Sequence, residues 1–144
     1  MTDVEFKIEI INPSNIEIII PLLQQLNNTI SEDVLKARLS EMVKNNYRCI
    51  GVFEEKKLIA ISGVWVLHKY YIGKHIEPDN VIVDSNYRGK RIGEMLSKWI
   101  DDFAKQEECL GTELNAYVTN SSGIRFWLNQ GYKIIGFHFQ KKYS

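Results

Sequence analysis

The sequence predicts a mixed α/β (α+β) fold, and three observations predict it. Short apolar, β-branched runs alternate with segments whose apolar residues recur at helical spacing, in the order β-α-α-β-β-β-α-β-α-β. The length, 144 residues, suits one domain, taken as 1–144. A hydrophobic share of 44% and a charged share of 25% are those of a soluble globular chain. They exclude a disordered segment, a collagen-like repeat and a disulfide scaffold. The chain shows no internal repeat and no Pro/Gly/Ser-rich linker.

Phe6 to Ile11 alternates loosely and reads as a first strand. Between Pro13 and Asn28 the residues Ile16, Ile19, Ile20, Leu23 and Leu26 keep helical spacing. Pro21 inside that pattern removes a donor, so it kinks the helix or marks where its regular part begins. Ser31 is an N-cap residue, followed by Glu32 and Asp33 at the positive end of the helix dipole and by Leu35, Leu39 and Met42 on one face. "YRCIGVFEE" and "KLIAISGVWVLHKYY", parted by polar residues around Glu55 to Lys57, read as a hairpin. A loop or strand extension through Gly73 and Lys74 leads to the strand "NVIVD". A long amphipathic helix follows, with Ile92, Leu96, Trp99 and Phe103 as its buried face. "TELNAYV" reads as a strand that completes a parallel crossover from Val81 to Val118. "NSSGIRFWLNQG" is a short helix stopped by Gly131, and "YKIIGFHFQKK" is a closing strand.

The formal net charge of 0 argues against a nonspecific nucleic-acid binder, which needs a basic excess. Cys49 and Cys109 have no partner at metal-ligand spacing and read as reduced thiols; no metal set is expected. No apolar stretch reaches about 18 residues, so no membrane span is expected. The start, "MTDVEFKIEI", lacks the features of a signal peptide, and the expected location is the cytoplasm.

The informative segment is "VIVDSNYRGKRIG", a strand, a tight basic turn and a helix start in one line. Backbone N–H groups in a first helical turn have no intrahelical partner, and the helix dipole favours an anion there. Gly89 and Gly93 allow close approach to the backbone, and Arg88, Lys90 and Arg91 add positive charge. The segment reads as a phosphate or pyrophosphate site, or else as a solvated basic turn. It is neither a Walker loop nor a Gly-x-Gly-x-x-Gly dinucleotide turn.

"YRGKRIG" resembles the acyl-CoA-binding motif of the GNAT superfamily of N-acetyltransferases, Gln/Arg-x-x-Gly-x-Gly/Ala. Arg88 matches its first position and Gly93 its last, while Arg91 replaces the middle glycine. "NSSGIRFWLNQGY" resembles that family's Asn-x-x-Ala-x-x-Phe-Tyr-x-x-x-Gly-Phe block: Asn120, Phe126 and Gly131 match, and Gly123, Trp127 and Tyr132 replace Ala, Tyr and Phe. With the elements around them, the two blocks extend the resemblance over nearly the whole chain. Parts of the chain also resemble two small-amine subgroups, the aminoalkylphosphonate and the glucosamine-6-phosphate acetyltransferases, which pull toward different acceptors.

The resemblance implies a central mixed, mostly antiparallel sheet with a splayed parallel strand pair, flanked by helices. It implies acetyl transfer from acetyl-CoA to a primary amine, with a small-molecule acceptor expected. A protein N-terminus or lysine, or a catalytically weak acyl-CoA-binding role, stands as the alternative. The turn Arg88, Gly89, Lys90, Arg91, Ile92 and Gly93 would hold the pyrophosphate. Val81, Ile82 and Val83 would lie along the pantetheine arm, with the Val81 N–H toward the thioester oxygen, and Asn120 and Trp127 would meet the cofactor as well. Family members can form homodimers. Many carry a catalytic acid or histidine on the strand before the turn, at positions four and six residues before Val83. These are Asp79 and Glu77, two apart and so on one strand face. Pro78 between them implies an edge or a bulge, and the pair reads equally as a solvated acidic loop. His75 is a further candidate base. His68 and His138 read as packed or edge histidines, and Tyr70 and Tyr71 as candidates to line an acceptor pocket. Trp127 stands where many members have a tyrosine that reprotonates the leaving thiolate, and indole is no acid at neutral pH.

Overall fold

The structure, a computed structural model, describes residues 5–143. Contacts divide the chain into two compact units, Met1–Glu113 and Leu114–Ser144.

The first unit is built on a five-stranded sheet in the order β1-β2-β3-β4-β5: β1 (Phe6–Ile10), β2 (Arg48–Glu54), β3 (Lys57–Lys69), β4 (Gly73–Val83) and β5 (Gly111–Thr112). The first four strands pair antiparallel, and β4 pairs β5 in parallel. The hairpin between β2 and β3 closes at Glu54 opposite Lys57, with Glu55 at φ 54. The region through Gly73 and Lys74 is strand extension, so β4 is one long strand.

The helical pattern of the N-terminal region resolves into a 3-10 helix, Pro13–Ile19, and α1 (Ile20–Leu26). Pro21 sits in the first turn of α1, where its missing N–H deprives no helical bond, so it marks the start of the regular helix. Ile16, Ile19, Ile20 and Leu22 are buried, whereas Leu26, assigned to the same face, is exposed at the helix end. In α2 (Glu32–Lys44) the Ser31 hydroxyl accepts from the Val34 N–H at 3.3 Å, and Leu35 and Leu39 are buried. In α3 (Ile92–Gln106) the buried row is Ile92, Leu96, Ile100 and Ala104. Trp99 and Phe103 are only partly buried; they pack against the same cluster from beside that row and stack on each other at 5.2 Å.

Two apolar clusters form around the sheet. One gathers Ile16, Ile19 and Leu22 with Leu35, Leu39, Tyr47, Cys49, Ile61 and Ile82. The other gathers Ile50, Val52, Ile59 and Ile76 with the buried row of α3. Burying such aliphatic side chains contributes about 1.5–3 kcal/mol each before entropy is charged.

Two strand expectations need correction. Of "TELNAYV" only Thr112 lies in a strand, β5, which Gly111 begins, and no strand is assigned within residues 132–143. Within the first unit β5 pairs β4 only at His75↔Gly111 and Ile76↔Thr112, so the strand is short. In the second unit the regular element is α4 (Ser121–Asn129). The Asn120 side chain caps it by accepting from the Gly123 N–H at 3.1 Å. A Cβ on Gly123 would crowd the Asn120 amide in this cap geometry. Gly131, at φ 97, ends the helix as anticipated, and the Tyr132 N–H bonds the Trp127 carbonyl at 3.1 Å.

Gly63 lies on β3 opposite Cys49, with the Tyr47 ring packed over its α-carbon, where any Cβ would strike the ring. Gly63→Ala is expected to lower unfolding stability by about 1–3 kcal/mol. Urea denaturation checks this, and an unchanged midpoint would show that the ring is not seated there.

Candidate functional site

The basic turn is anchored to α1. The buried Asp84 carboxylate accepts from the Asn86 N–H at 2.9 Å and from the Gln25 amide at 3.5 Å, and the Gln25 carbonyl oxygen accepts from the Ser85 N–H at 3.2 Å. Beyond the 3-10 turn Ser85–Tyr87, Gly89 has φ 80 and Arg91 has φ 60, both left-handed. Arg91 occupies the N-cap of α3 and supplies no side-chain cap, so the N–H groups at the start of α3 keep their capacity for an anion. Arg88, Lys90 and Arg91 are exposed, and none is in an ion pair among the described residues. Lys90 and Lys57 each stand 5.1 Å from the Tyr87 ring. Val81 and Val83 pack toward the cluster of α3, while Ile82 is buried in the other cluster.

Val81, Ile82 and Val83 alternate as any strand does, but Ile76 and Ile82, an even number apart, face different clusters, and that change of side has a local cause. Ile61 pairs Ile82 and Gly63 pairs Asp79, two steps along β3 against three along β4. The strand β4 therefore carries one extra residue near Asn80, which has φ 41. Pro78 has its place as well. The Lys74 and Ile76 carbonyls accept from Leu110 and Glu113, so alternate residues of β4 turn their backbone groups to the β5 side, and Pro78 is next in that series. It lacks a donor where β5, paired only with His75 and Ile76, offers no acceptor.

Glu77 stands opposite Trp65 and Asp79 opposite Gly63. Asp79 is exposed and accepts from the Trp65 indole at 3.1 Å. Glu77 is half-buried, and its Oε2 meets Lys69 Nζ at 2.9 Å and His75 Nε2 at 2.8 Å. His75 is fully buried, and its Nδ1 lies 2.9 Å from the Gly73 carbonyl. Glu113, one residue past β5, accepts from the Tyr71 hydroxyl at 2.5 Å and lies 3.9 Å from both Lys69 and His75. Sequence reasoning missed Glu113 and Lys69. No short-range pattern links them to Glu77; the parallel pairing of β5 with β4 brings Glu113 in.

Burial would raise the Glu77 carboxyl, but the hydrogen bonds and charges of His75 and Lys69 outweigh it and hold the group below the ordinary carboxylate range. Burial would lower His75, but the Gly73 carbonyl and Glu77 outweigh it and hold the imidazole above its usual range. The bond to Glu113 raises Tyr71, and Glu77 raises Lys69. Burial pushes the Cys49 thiol up to about 12, so it is inert. His75, Glu77 and Glu113 bring three donor atoms within 4.8 Å of one another, but the Lys69 ammonium already supplies a cation at that point. Of the two readings of His68, packed or edge, the exposed position on β3 fits the second. In the second unit, Trp127 packs edge-on to Phe126 and Tyr132, at 4.8 and 5.3 Å.

A sequence model of the acetyltransferase (GNAT) family matches residues 16–132. Over 74 residues the chain is 34% identical to an aminoalkylphosphonate N-acetyltransferase of Salmonella typhimurium, a span of 51% of this chain and 46% of that protein. The match thus spans under half the length of that relative. A glucosamine-6-phosphate N-acetyltransferase structure from Arabidopsis thaliana superposes with TM-score 0.73 at 24% identity, covering 97% of this chain and 99% of that one. The aminoglycoside N-acetyltransferase AAC(6')-Iy in complex with CoA gives 0.85 at 13% identity, over 99% and 98%. A ribosomal-protein-alanine N-acetyltransferase from Brucella melitensis gives 0.82 at 15%, over 97% and 100%. At these identities the structural likeness is one of fold.

The Glu77–His75 pair makes stability depend on pH. Glu77, depressed on folding, adds stability above its unfolded value of about 4.3 and loses it as pH falls through its folded value. His75, raised on folding, adds stability below its unfolded value of about 6.5 and loses it as pH rises through its folded value. The Tm difference between the wild type and Glu77→Gln is expected to be largest between about pH 4.5 and 6.5 and to shrink on the alkaline side. A difference that is flat from acid to alkaline pH in thermal scans would dismiss the pair.

Proposed function

The chain belongs to the acetyltransferase (GNAT) family, and from that premise we propose that it transfers the acetyl group of acetyl-CoA to a primary amine of a small molecule. One observation carries this reading. A single strand, β4, bears the carboxylate Glu77 at its middle and runs into the uncapped, basic start of α3 at its end. One element thus spans from a proton acceptor to an anion site.

In this reading the pyrophosphate of CoA rests on the first N–H groups of α3, with Arg88, Lys90 and Arg91 around it. The pantetheine arm lies along Val81, Ile82 and Val83, and the Val81 N–H faces the thioester oxygen, where negative charge develops. A primary amine has a pKa near ~10 and arrives protonated. Glu77, ionised at neutral pH, takes the proton directly or through one water; Asp79 is the second candidate. The freed amine forms the C–N bond, the C–S bond breaks, and CoA leaves as the thiolate. Solvent reprotonates it, since Trp127 offers no acid. The small-amine acceptors in the names of two relatives, an aminoalkylphosphonate and glucosamine 6-phosphate, support a small-molecule acceptor.

Neither nucleic acid nor membrane enters this reading. The net charge is 0, and no described helix is long and apolar enough to cross a membrane. The cytoplasm is the compartment it assumes.

Gly93→Phe places a large side chain in the first turn of α3 and is expected to weaken CoA binding at least about tenfold with the fold retained. Calorimetry showing unchanged affinity would remove the turn from the cofactor site. Glu77→Gln is expected to lower kcat at neutral pH by about 10²–10⁴-fold, with acetyl-CoA affinity nearly intact and the loss shrinking at high pH. Asp79→Asn is the matched comparison: full activity in Glu77→Gln with loss in Asp79→Asn moves the base to Asp79.

A further inference from the structure

We infer that His75 is the positioning residue of the acceptor-side carboxylate: a buried imidazole, fixed at both nitrogens, that orients Glu77 and keeps it ionised. The inference rests on the reading of Glu77 as proton acceptor and adds the group that makes it one.

The argument starts from proton inventory. A backbone carbonyl only accepts, so His75 Nδ1, 2.9 Å from the Gly73 oxygen, carries a proton. On the other side Nε2 lies 2.8 Å from Glu77 Oε2, a contact that needs one proton between the two atoms. The pair is therefore either imidazolium with carboxylate or imidazole with carboxylic acid. The surroundings choose. Lys69, from β3, donates to the same Oε2 at 2.9 Å and favours the ionised carboxylate. Glu113, past β5, lies 3.9 Å from Nε2 and favours the imidazolium. Tyr71, in the turn before β4, is neutral and donates to Glu113, which fixes that carboxylate. The directions of the shifts at His75 and Glu77 agree with an imidazolium–carboxylate pair.

The ring has little freedom. Its backbone is paired on both sides, to Leu67 of β3 and to Gly111 of β5, and Gly73 holds φ 76 at the end of the strand. The His75 side chain has no exposure while Glu77 keeps 18%, so the imidazole does not reach solvent and the carboxylate does. His75 thus acts on a substrate only through Glu77. With Oε2 held by two donors, Oε1 is the oxygen left for the incoming ammonium or its water. When Glu77 takes the amine proton there, the imidazolium and Lys69 favour its prompt loss to solvent, which restores the carboxylate for the next turnover.

The experiment combines an activity readout with one that does not need activity. In His75→Ala the acid limb of the pH–kcat profile is expected to move up by about one pH unit, with kcat at neutral pH down roughly tenfold and acetyl-CoA affinity unchanged. His75→Gln, whose amide can still donate to Glu77 but carries no charge, is expected to recover part of kcat while keeping the shifted limb. In nitrogen-15 NMR, His75 is expected to titrate above the ordinary histidine range in the wild type and to fall below that position in Glu77→Gln. An acid limb in both His75 variants identical to the wild type, while Glu77→Gln abolishes that limb, would overturn the positioning role and leave the base assignment standing. A Glu77→Gln enzyme with an unaltered profile would overturn the base assignment and the positioning role with it. An imidazole that titrates identically with and without Glu77 would overturn the pairing whatever the kinetics.

Discussion

A length of β4 whose backbone is bonded on one side only is the constraint from which the site follows. The strand pairs β3 along most of its length but meets β5 only at His75 and Ile76. Polar backbone groups are costly to leave without partners, and those of this stretch that β5 does not pair have the capacity to bond an extended ligand. Pro78 relieves the demand by lacking a donor on that side, and the extra residue near Asn80 re-aims the strand before it reaches the turn. A peptide-like pantetheine arm is a ligand suited to the groups that remain.

The strand also needs a firm support. The apolar cluster that includes Tyr47, Ile61 and Ile82 holds one face, and the buried row of α3 belongs to the cluster that includes Ile76. The Asn80 amide donates to the Tyr47 hydroxyl at 2.8 Å, which ties the irregular point of β4 to the core. Gln25 and Asp84 tie the following turn to α1. The α3 N-terminus and Glu77 are therefore set by the same packed body, and a displacement of either would have to move the sheet.

Within that frame the charges are arranged in compensating fashion. Lys69 and His75 face Glu77 and Glu113, and the Tyr71 hydroxyl completes the group. A buried imidazolium without a partner would lose its proton, and a carboxylate in the same place would gain one. Paired across β3, β4 and the residue after β5, each holds the other in its charged form. Exposure differs within the group, since Glu77 reaches solvent and His75 does not. That asymmetry separates a residue able to touch a substrate from one that acts behind it.

The sequence by itself determined the mixed α/β order, the Ser31 cap, the hairpin at Glu55 and the glycine that ends the last helix, and it limited Pro21 to a kink or a helix start. These are local matters of spacing, capping and turn chemistry, settled by residues within a few positions of one another. It also showed the basic strand–turn–helix segment and the shared face of Glu77 and Asp79, because a strand alternates with a period of two. Only the tertiary structure decided how long each strand is, since a strand lasts as long as its neighbour does. Thr112 is the last residue of β5, because that strand is paired with β4 only at His75 and Ile76. It alone decided that Ile100 and Ala104, rather than Trp99 and Phe103, line the core, because that choice rests on the shape of the surface met by α3. And it alone brought Lys69 and Glu113 to His75 and Glu77, through strand register across β3, β4 and β5, which no local pattern in the chain encodes.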